Sequence, residues 1–214
     1  MKNLFYFYKI IACFMCLLFI TDLSAQESFE GKLTFHFKYT SKKPGISADM
    51  LRKNFGDSSV VYIKEGNYRQ TYFNAIFVTD VYYDPVTNRY YYRRTGIDTI
   101  YYKDCSIELN KIDSIFTADS PVNILGFNCK VLKMKSSNSI VFYYFAPELY
   151  MDPKFYEQHK LGGYDIFARE SKSLYLKVIR EYSAYNYVFT ATSIKREKLS
   201  PDIFKLPSLP VKEK

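Results

Sequence analysis

The side chains in this sequence that could do chemistry are few and scattered. There are two histidines, His36 and His159, and the cysteines outside the amino-terminal apolar run are Cys105 and Cys129. A zinc or other soft-metal site draws on Cys and His clustered at short spacings, and acyl or phosphoryl transfer needs a nucleophile beside a base or a phosphate-cradling glycine loop. No HExxH, GxSxG, glycine-rich loop or cysteine and histidine cluster occurs. Asp80 and Asp84 are close in sequence, but the first falls in a predicted strand and the second precedes Pro85, an ordinary place for a turn aspartate. No catalytic residue, metal ligand or cofactor is assigned, and the expectation is a protein that is not an enzyme.

What the sequence supplies in excess is aromatic surface. It has 22 tyrosines and 18 phenylalanines but no tryptophan, with runs such as Tyr82-Tyr83, Tyr90-Tyr91-Tyr92, Tyr101-Tyr102 and Tyr143-Tyr144. Neighbouring residues of a strand point to opposite faces, so both faces of a sheet built from these runs carry rings. A buried tyrosine hydroxyl wants a partner or water. The rings therefore fill a tyrosine-rich core, bind another protein, or line a curved sheet whose concave face accepts an apolar or amphipathic ligand. In the last case some of Tyr72, Val81, Tyr83, Tyr91 and Tyr143 line a surface apolar at depth and hydroxylated near its rim. Which face is concave is not fixed, because a one-residue slip in register exchanges the two sets.

The elements that must position these rings begin after an export signal. Lys2 and Lys9 precede the apolar run Ile10 to Ile20, and Leu23-Ser24-Ala25 ends in a small residue, the order of a secretory signal peptide over residues 1–25. The run is too short to span a bilayer, and no cysteine follows the small residues to accept a lipid. The expectation is a soluble, periplasmic or secreted protein beginning at Gln26, with no membrane span. The remaining 189 of 214 residues suit one domain over 26–206, followed by a loose polar tail at 207–214. Without Lys2, Lys9 and Asp22 the formal charge falls from +8 to +7, spread along the chain in pairs such as Lys42-Lys43 and Arg93-Arg94. Export sets nucleic acid aside as a partner and leaves anionic lipid head groups, glycans or plain solubility. An oxidising compartment favours a Cys105–Cys129 disulfide over free thiols or a metal site. Such a bridge would close about 25 residues and contribute roughly 3 kcal/mol.

Strict alternation over residues 31–39 predicts a half-buried strand with Leu33, Phe35, Phe37 and Tyr39 inward and His36 on the wet face. Ser47 caps a short helix that Gly56 ends, with Ile46 and Leu51 as its staple. Hairpins follow over 60–73 and 77–93, then strands near 97–102 and 112–117. A further hairpin spans 123–144, bending at Gly126 and turning at Ser136-Ser137-Asn138; its Ile140 to Tyr144 stretch suits burial on both faces. Asp152-Pro153 opens a second helix closed by Gly162-Gly163, with His159 and Lys160 at its cation-favouring end. Strands over 173–181 and 187–198 and a turn at Ser200-Pro201 complete an antiparallel meander, mainly β with a few short helices.

The run Ile124-Leu125-Gly126-Phe127-Asn128-Cys129-Lys130, the strand ending Tyr143-Tyr144-Phe145-Ala146-Pro147-Glu148, and Asp152-Pro153 through His159-Lys160-Leu161-Gly162 carry a resemblance. Together they resemble a group of uncharacterised secreted proteins of Bacteroidota, itself similar to the outer-membrane lipoprotein carrier superfamily, the LolA/LolB-like fold, and to the related GLPGLI family. The GLPGLI motif itself is absent; Leu161-Gly162-Gly163-Tyr164 and Lys172-Ser173-Leu174-Tyr175-Leu176 stand nearby. The resemblance implies a strongly curved antiparallel sheet or half-barrel with short helices across its mouth, a lipid or lipoprotein client, and no catalytic residues. Two functions are carried forward: a carrier of an apolar or amphipathic ligand, and a cell-envelope structural or adaptor protein that binds another protein.

Overall fold

The structure, a computed structural model, describes residues 26–214; the expected signal segment lies outside the described residues. The described strands form one sheet. In chain order they are β1 (Gly31–Ser41), β2 (Ser58–Lys64), β3 (Asn67–Phe73), β4 (Asp80–Asp84), β5 (Arg89–Arg93), β6 (Ile100–Asp104), β7 (Ile112–Ile124), β8 (Phe127–Ser136), β9 (Ser139–Tyr150), β10 (Ser173–Tyr182), β11 (Tyr185–Arg196) and β12 (Val211–Glu213). Their spatial order is β12-β6-β5-β4-β3-β2-β1-β11-β10-β9-β8-β7. Two antiparallel meanders, β1 to β6 and β7 to β11, are thus joined where β11 returns to pair along the whole of β1. The open sheet curls around its own apolar face.

Sequence alternation sets that face. In β1, Leu33, Phe35 and Phe37 are buried while His36 and Lys38 are exposed, and each such burial stabilises the fold by roughly 1.5–3 kcal/mol. Register carries the inward face outward in both directions, pairing Phe35 with Ser59 of β2 and Phe37 with Phe189 of β11. The β2–β3 hairpin closes on the two-residue turn Glu65-Gly66, both at positive φ, so that Lys64 pairs with Asn67. Pairing shifts at Thr34/Phe35 and twice along β10, between Ser173 and Lys177; bulges of this kind bend a sheet and deepen its curl.

Helix α1 (Ala48–Phe55) follows its expected signals: Ser47 Oγ accepts the Met50 amide hydrogen bond, Leu51 is buried, and the Gly56 amide returns to the Arg52 carbonyl. The second helix expected from Asp152 is instead split. Asp152 caps only a 3-10 turn, Pro153–Tyr156, and after a tight passage through Leu161–Gly163 a separate helix, α2 (Tyr164–Ser171), packs over the sheet with Phe167 and Ala168 buried. Gly163, at φ 73°, sits so close to the core that a Cβ there would come within 2.7 Å of Met134 Cε. Its lack of a side chain is what lets the chain turn there.

Three further expectations change. Ile140 to Tyr144 is not buried on both faces but alternates, with Val141 and Tyr143 buried and Phe142 and Tyr144 half-buried, because β9 lies in a sheet covered on one side. The polar tail is not loose throughout: Val211–Glu213 adds a parallel strand beside Ile100–Tyr102, and Leu206 and Leu209 cover Tyr82, Tyr91 and Ile100 on the convex face. Finally, Cys105 and Cys129 are free thiols, both buried, rather than a disulfide. Cys105 follows β6 and Cys129 lies in β8, strands next to opposite edges of the sheet. Each thiol contacts a carbonyl of its own segment, Lys103 and Phe127 respectively.

Candidate functional site

The curl leaves space inside. A cavity of about 400 Å³ lies between the concave face and the covering segment of residues 159–164. Leu33 and Phe35 of β1, Val61 and Ile63 of β2, and Leu174 and Val178 of β10 give it aliphatic and aromatic walls. Tyr68, Gln70 and Tyr72, alternate residues of β3, add hydroxyl and amide groups, as do Tyr90 of β5 and Tyr187 of β11. His159, Leu161, Gly162 and Tyr164 form the cover.

The tyrosines are partly buried donors. Burial raises the pKa of Tyr68, Tyr72 and Tyr164 well above 10, with neighbouring tyrosines adding to it, so the phenols are neutral hydrogen-bonding groups. His159 is 2% exposed and stands in a nest of rings: 4.3 Å from Tyr83 and 5.0 Å from Tyr164 between centroids. Its Nε2 lies 3.2 Å from Tyr68 Oη, while Nδ1 is buried with no partner among the described residues. Burial pulls its pKa down to about 4, so the imidazole is neutral at pH 7. The sequence placed His159 as a cation at a helix end. The helix does not form there, and the aromatic surroundings reverse the expectation.

Gln70 Nε2 donates to Ser59 Oγ at 2.9 Å, holding the amide in place within the wall. Arg180 of β10 reaches the cavity as well, donating from Nη2 to Tyr143 Oη at 3.3 Å and from Nη1 to Tyr182 Oη at 3.5 Å. Lys103 is the second cation of the lining, and among the described residues no Asp or Glu belongs to it.

Of the residues singled out beforehand, Tyr72 and Tyr143 line the cavity. Val81 and Tyr83 share the inward face, through the pairs Gln70 with Val81 and Tyr68 with Tyr83, but stand behind the wall. Tyr83 Oη instead donates to Asn88 Oδ1 at 3.1 Å. Tyr91 points the other way, onto Tyr102 at the convex face, since Tyr90 takes the inward position of β5. Sequence reasoning missed Tyr68, Tyr90, His159 and Arg180. The series Tyr68-Gln70-Tyr72 and Leu176-Val178-Arg180 was the available signal, an amide and a cation placed in step with inward residues.

Asp80 and Asp84 have structural work. Asp80 is 3% exposed and held between Arg93 and Arg69, at 2.7 and 3.3 Å; Asp84 accepts from the Val86 amide in its turn. Among the described residues no group of three His, Cys, Asp or Glu side chains could hold a metal ion, and no helix is long and apolar enough to cross a membrane.

No protein-family model matches the chain, and no curated protein matches it in sequence. Among solved structures, PNGF-II, in two crystal forms, superposes with a TM-score of 0.48 at 13% identity over 86% of this chain. This chain spans only about a third of PNGF-II, 32% and 31% in the two forms. A LolA superfamily protein from Nitrosomonas europaea matches with a TM-score of 0.40 and 10% identity, over 85% of this chain and 91% of its own. Lipoprotein LppX from Mycobacterium tuberculosis matches with a TM-score of 0.34 and 8% identity, over 80% and 89% respectively. With TM-scores below 0.5, these likenesses carry no inference about the family of this chain or about what it binds.

Proposed function

We propose that the protein is an exported, non-enzymatic binding protein that carries an apolar or amphipathic, lipid-like ligand in the concavity of its sheet, with Tyr72 and Tyr143 among its contacts. The observation that carries this is the cavity itself: about 400 Å³ walled by Leu33, Val61, Ile63 and a ring of neutral tyrosines. Its size falls within the roughly 300–1,000 Å³ of small-molecule sites, and its mixture of apolar wall and few polar groups is that of such a site. A periplasmic or secreted location and a lipid or lipoprotein partner belong to the same proposal. So does kinship with the Bacteroidota secreted proteins and the GLPGLI family, supported by the short motifs alone.

A neutral apolar dye, 1-N-phenylnaphthylamine, tests it. The unmodified protein is expected to give a saturable fluorescence rise with one site per chain. Filling the cavity with Val61→Phe and Leu174→Phe together is expected to weaken binding at least tenfold with an unchanged circular dichroism spectrum. Absence of a saturable rise would remove the carrier function.

The adaptor function has one observation in its favour. Phe73, Ile76 and Phe77 are exposed beside Phe55 of α1, whose ring meets Phe77 edge-on at 5.6 Å and also stacks on Tyr39 and Tyr185, forming an exposed apolar patch.

A further inference from the structure

We propose that the cavity selects single-chain amphiphiles with an anionic head group, and that Arg180 is the residue that reads the charge. This rests on the cavity being a ligand site. Arg180 ends the alternating series Leu176, Val178 and Arg180 on β10, so the strand that supplies apolar wall also delivers a guanidinium. Its polar contacts are Tyr143 and Tyr182, both through hydroxyls, while its Nε is shut from solvent without a partner among the described residues. Arg52, Arg69, Arg93 and Arg169 each have a carboxylate within 4.0 Å; among the described residues Arg180 has none, and Arg89, Arg94 and Arg196, which also have none, lie over aromatic rings.

The phenols around it do not supply the missing charge. Tyr187 is held above its ordinary pKa by burial and is neutral at pH 7. Burial works against the Arg180 cation, but its pKa stays above the ordinary arginine value and the guanidinium is charged, as arginine is throughout. A partly buried cation without a counter-ion is costly, and folded proteins ordinarily offset it with a carboxylate or a phosphate. Here the neighbouring free space is the cavity, whose lining adds Lys103 and, among the described residues, contains no acid. Two of the five guanidinium hydrogens face tyrosines and the Nε hydrogen is enclosed, which leaves one on each Nη for a carboxylate or phosphate oxygen pair.

Position and volume fit the same ligand. A Cβ at Gly162, on the covering turn, would lie 4.0 Å from Arg180 Nη2, so the residue opposite the guanidinium is one without a side chain and leaves the approach open. A cavity of about 400 Å³ is of the size of sites that hold one small ligand, which suits a single-chain amphiphile.

The test is isothermal titration, below micelle-forming concentrations, with dodecanoate, dodecyl phosphate and the neutral 1-dodecanol. The unmodified protein is expected to bind at least one of the two anions with 1:1 stoichiometry and at least tenfold more tightly than dodecanol; comparison of the two identifies the head group. Arg180→Met is expected to lower the affinity for the preferred anion at least tenfold and to close the gap to dodecanol, and Arg180→Lys to restore part of it. Equal binding of dodecanol and both anions by the unmodified protein would overturn the assignment to Arg180 while leaving the carrier function standing. Failure of all three chains to bind would overturn both. Should Arg180→Met not fold, the anion preference of the unmodified protein and its decline in Arg180→Lys decide the matter.

Discussion

Tyr68 Oη lies 3.2 Å from His159 Nε2, and this contact ties β3, a wall of the cavity, to the segment that covers it. The pair is sealed among rings, and its histidine is kept neutral. Because burial lowers the His159 pKa from 6.5 to about 4, the unfolded chain takes up a proton before the folded one does. Stability from the neutral imidazole is complete above pH 6.5 and is lost as pH falls towards 4, by about 3 kcal/mol over that interval.

Urea unfolding at pH 7.5, 6.0 and 4.5 is expected to show this loss, and His159→Phe to flatten it. The carboxylates of Glu30 and Asp57, whose pKa values are lowered by hydrogen bonds, act below this window. A slope unchanged in His159→Phe would contradict the assignment.

On the convex face, Asp80 joins two arginines and accepts the Thr71 hydroxyl at 3.0 Å. Its carboxylate is buried while both arginines are partly exposed, so Asp80→Ala is expected to cost about 2–3 kcal/mol, below the 3–5 kcal/mol of a fully buried pair. The denaturation midpoint measures it, and dye binding at low temperature should persist, since Asp80 faces away from the cavity.

The thiols offer a direct check on compartment logic against geometry. Burial pushes the Cys105 thiol up to about 12 and raises Cys129 as well. Ellman's reagent at pH 8 is expected to find almost no reactive thiol in the folded protein and two after denaturation without reductant. None after denaturation would mean that the two cysteines are bridged.

Removal of residues 206–214 is expected to lower the melting temperature by several degrees. It strips Leu206 and Leu209 from Tyr82, Tyr91 and Ile100 and removes the parallel strand, including the hydrogen bond from the Ile100 amide to the Pro210 carbonyl. An unchanged melting temperature would show that the tail is dispensable.

What could be read from sequence was whatever local chemistry decides. Alternation in β1, the Ser47 cap and the turn at Ser200-Pro201 each specify their own geometry, and each is found. The tail's parallel pairing and the split helix were hidden, because both depend on partners far along the chain. Tyr91 was misplaced for a related reason: in Tyr90-Tyr91-Tyr92 composition cannot say which ring faces in, and only pairing with Tyr82 and Tyr83 of β4 decides it. The cysteines followed compartment logic, whereas in the structure both are free thiols on segments next to opposite edges of the sheet. His159 and Arg180 were legible as residue types but not as members of one cavity, which exists only when the two meanders meet.

The most direct test of the central claim is a crystal structure of the protein with dodecanoate at saturating concentration. The predicted result is one chain between Leu33, Val61, Ile63 and Tyr72, with its carboxylate on Arg180. An empty cavity, or a chain bound elsewhere, would contradict it.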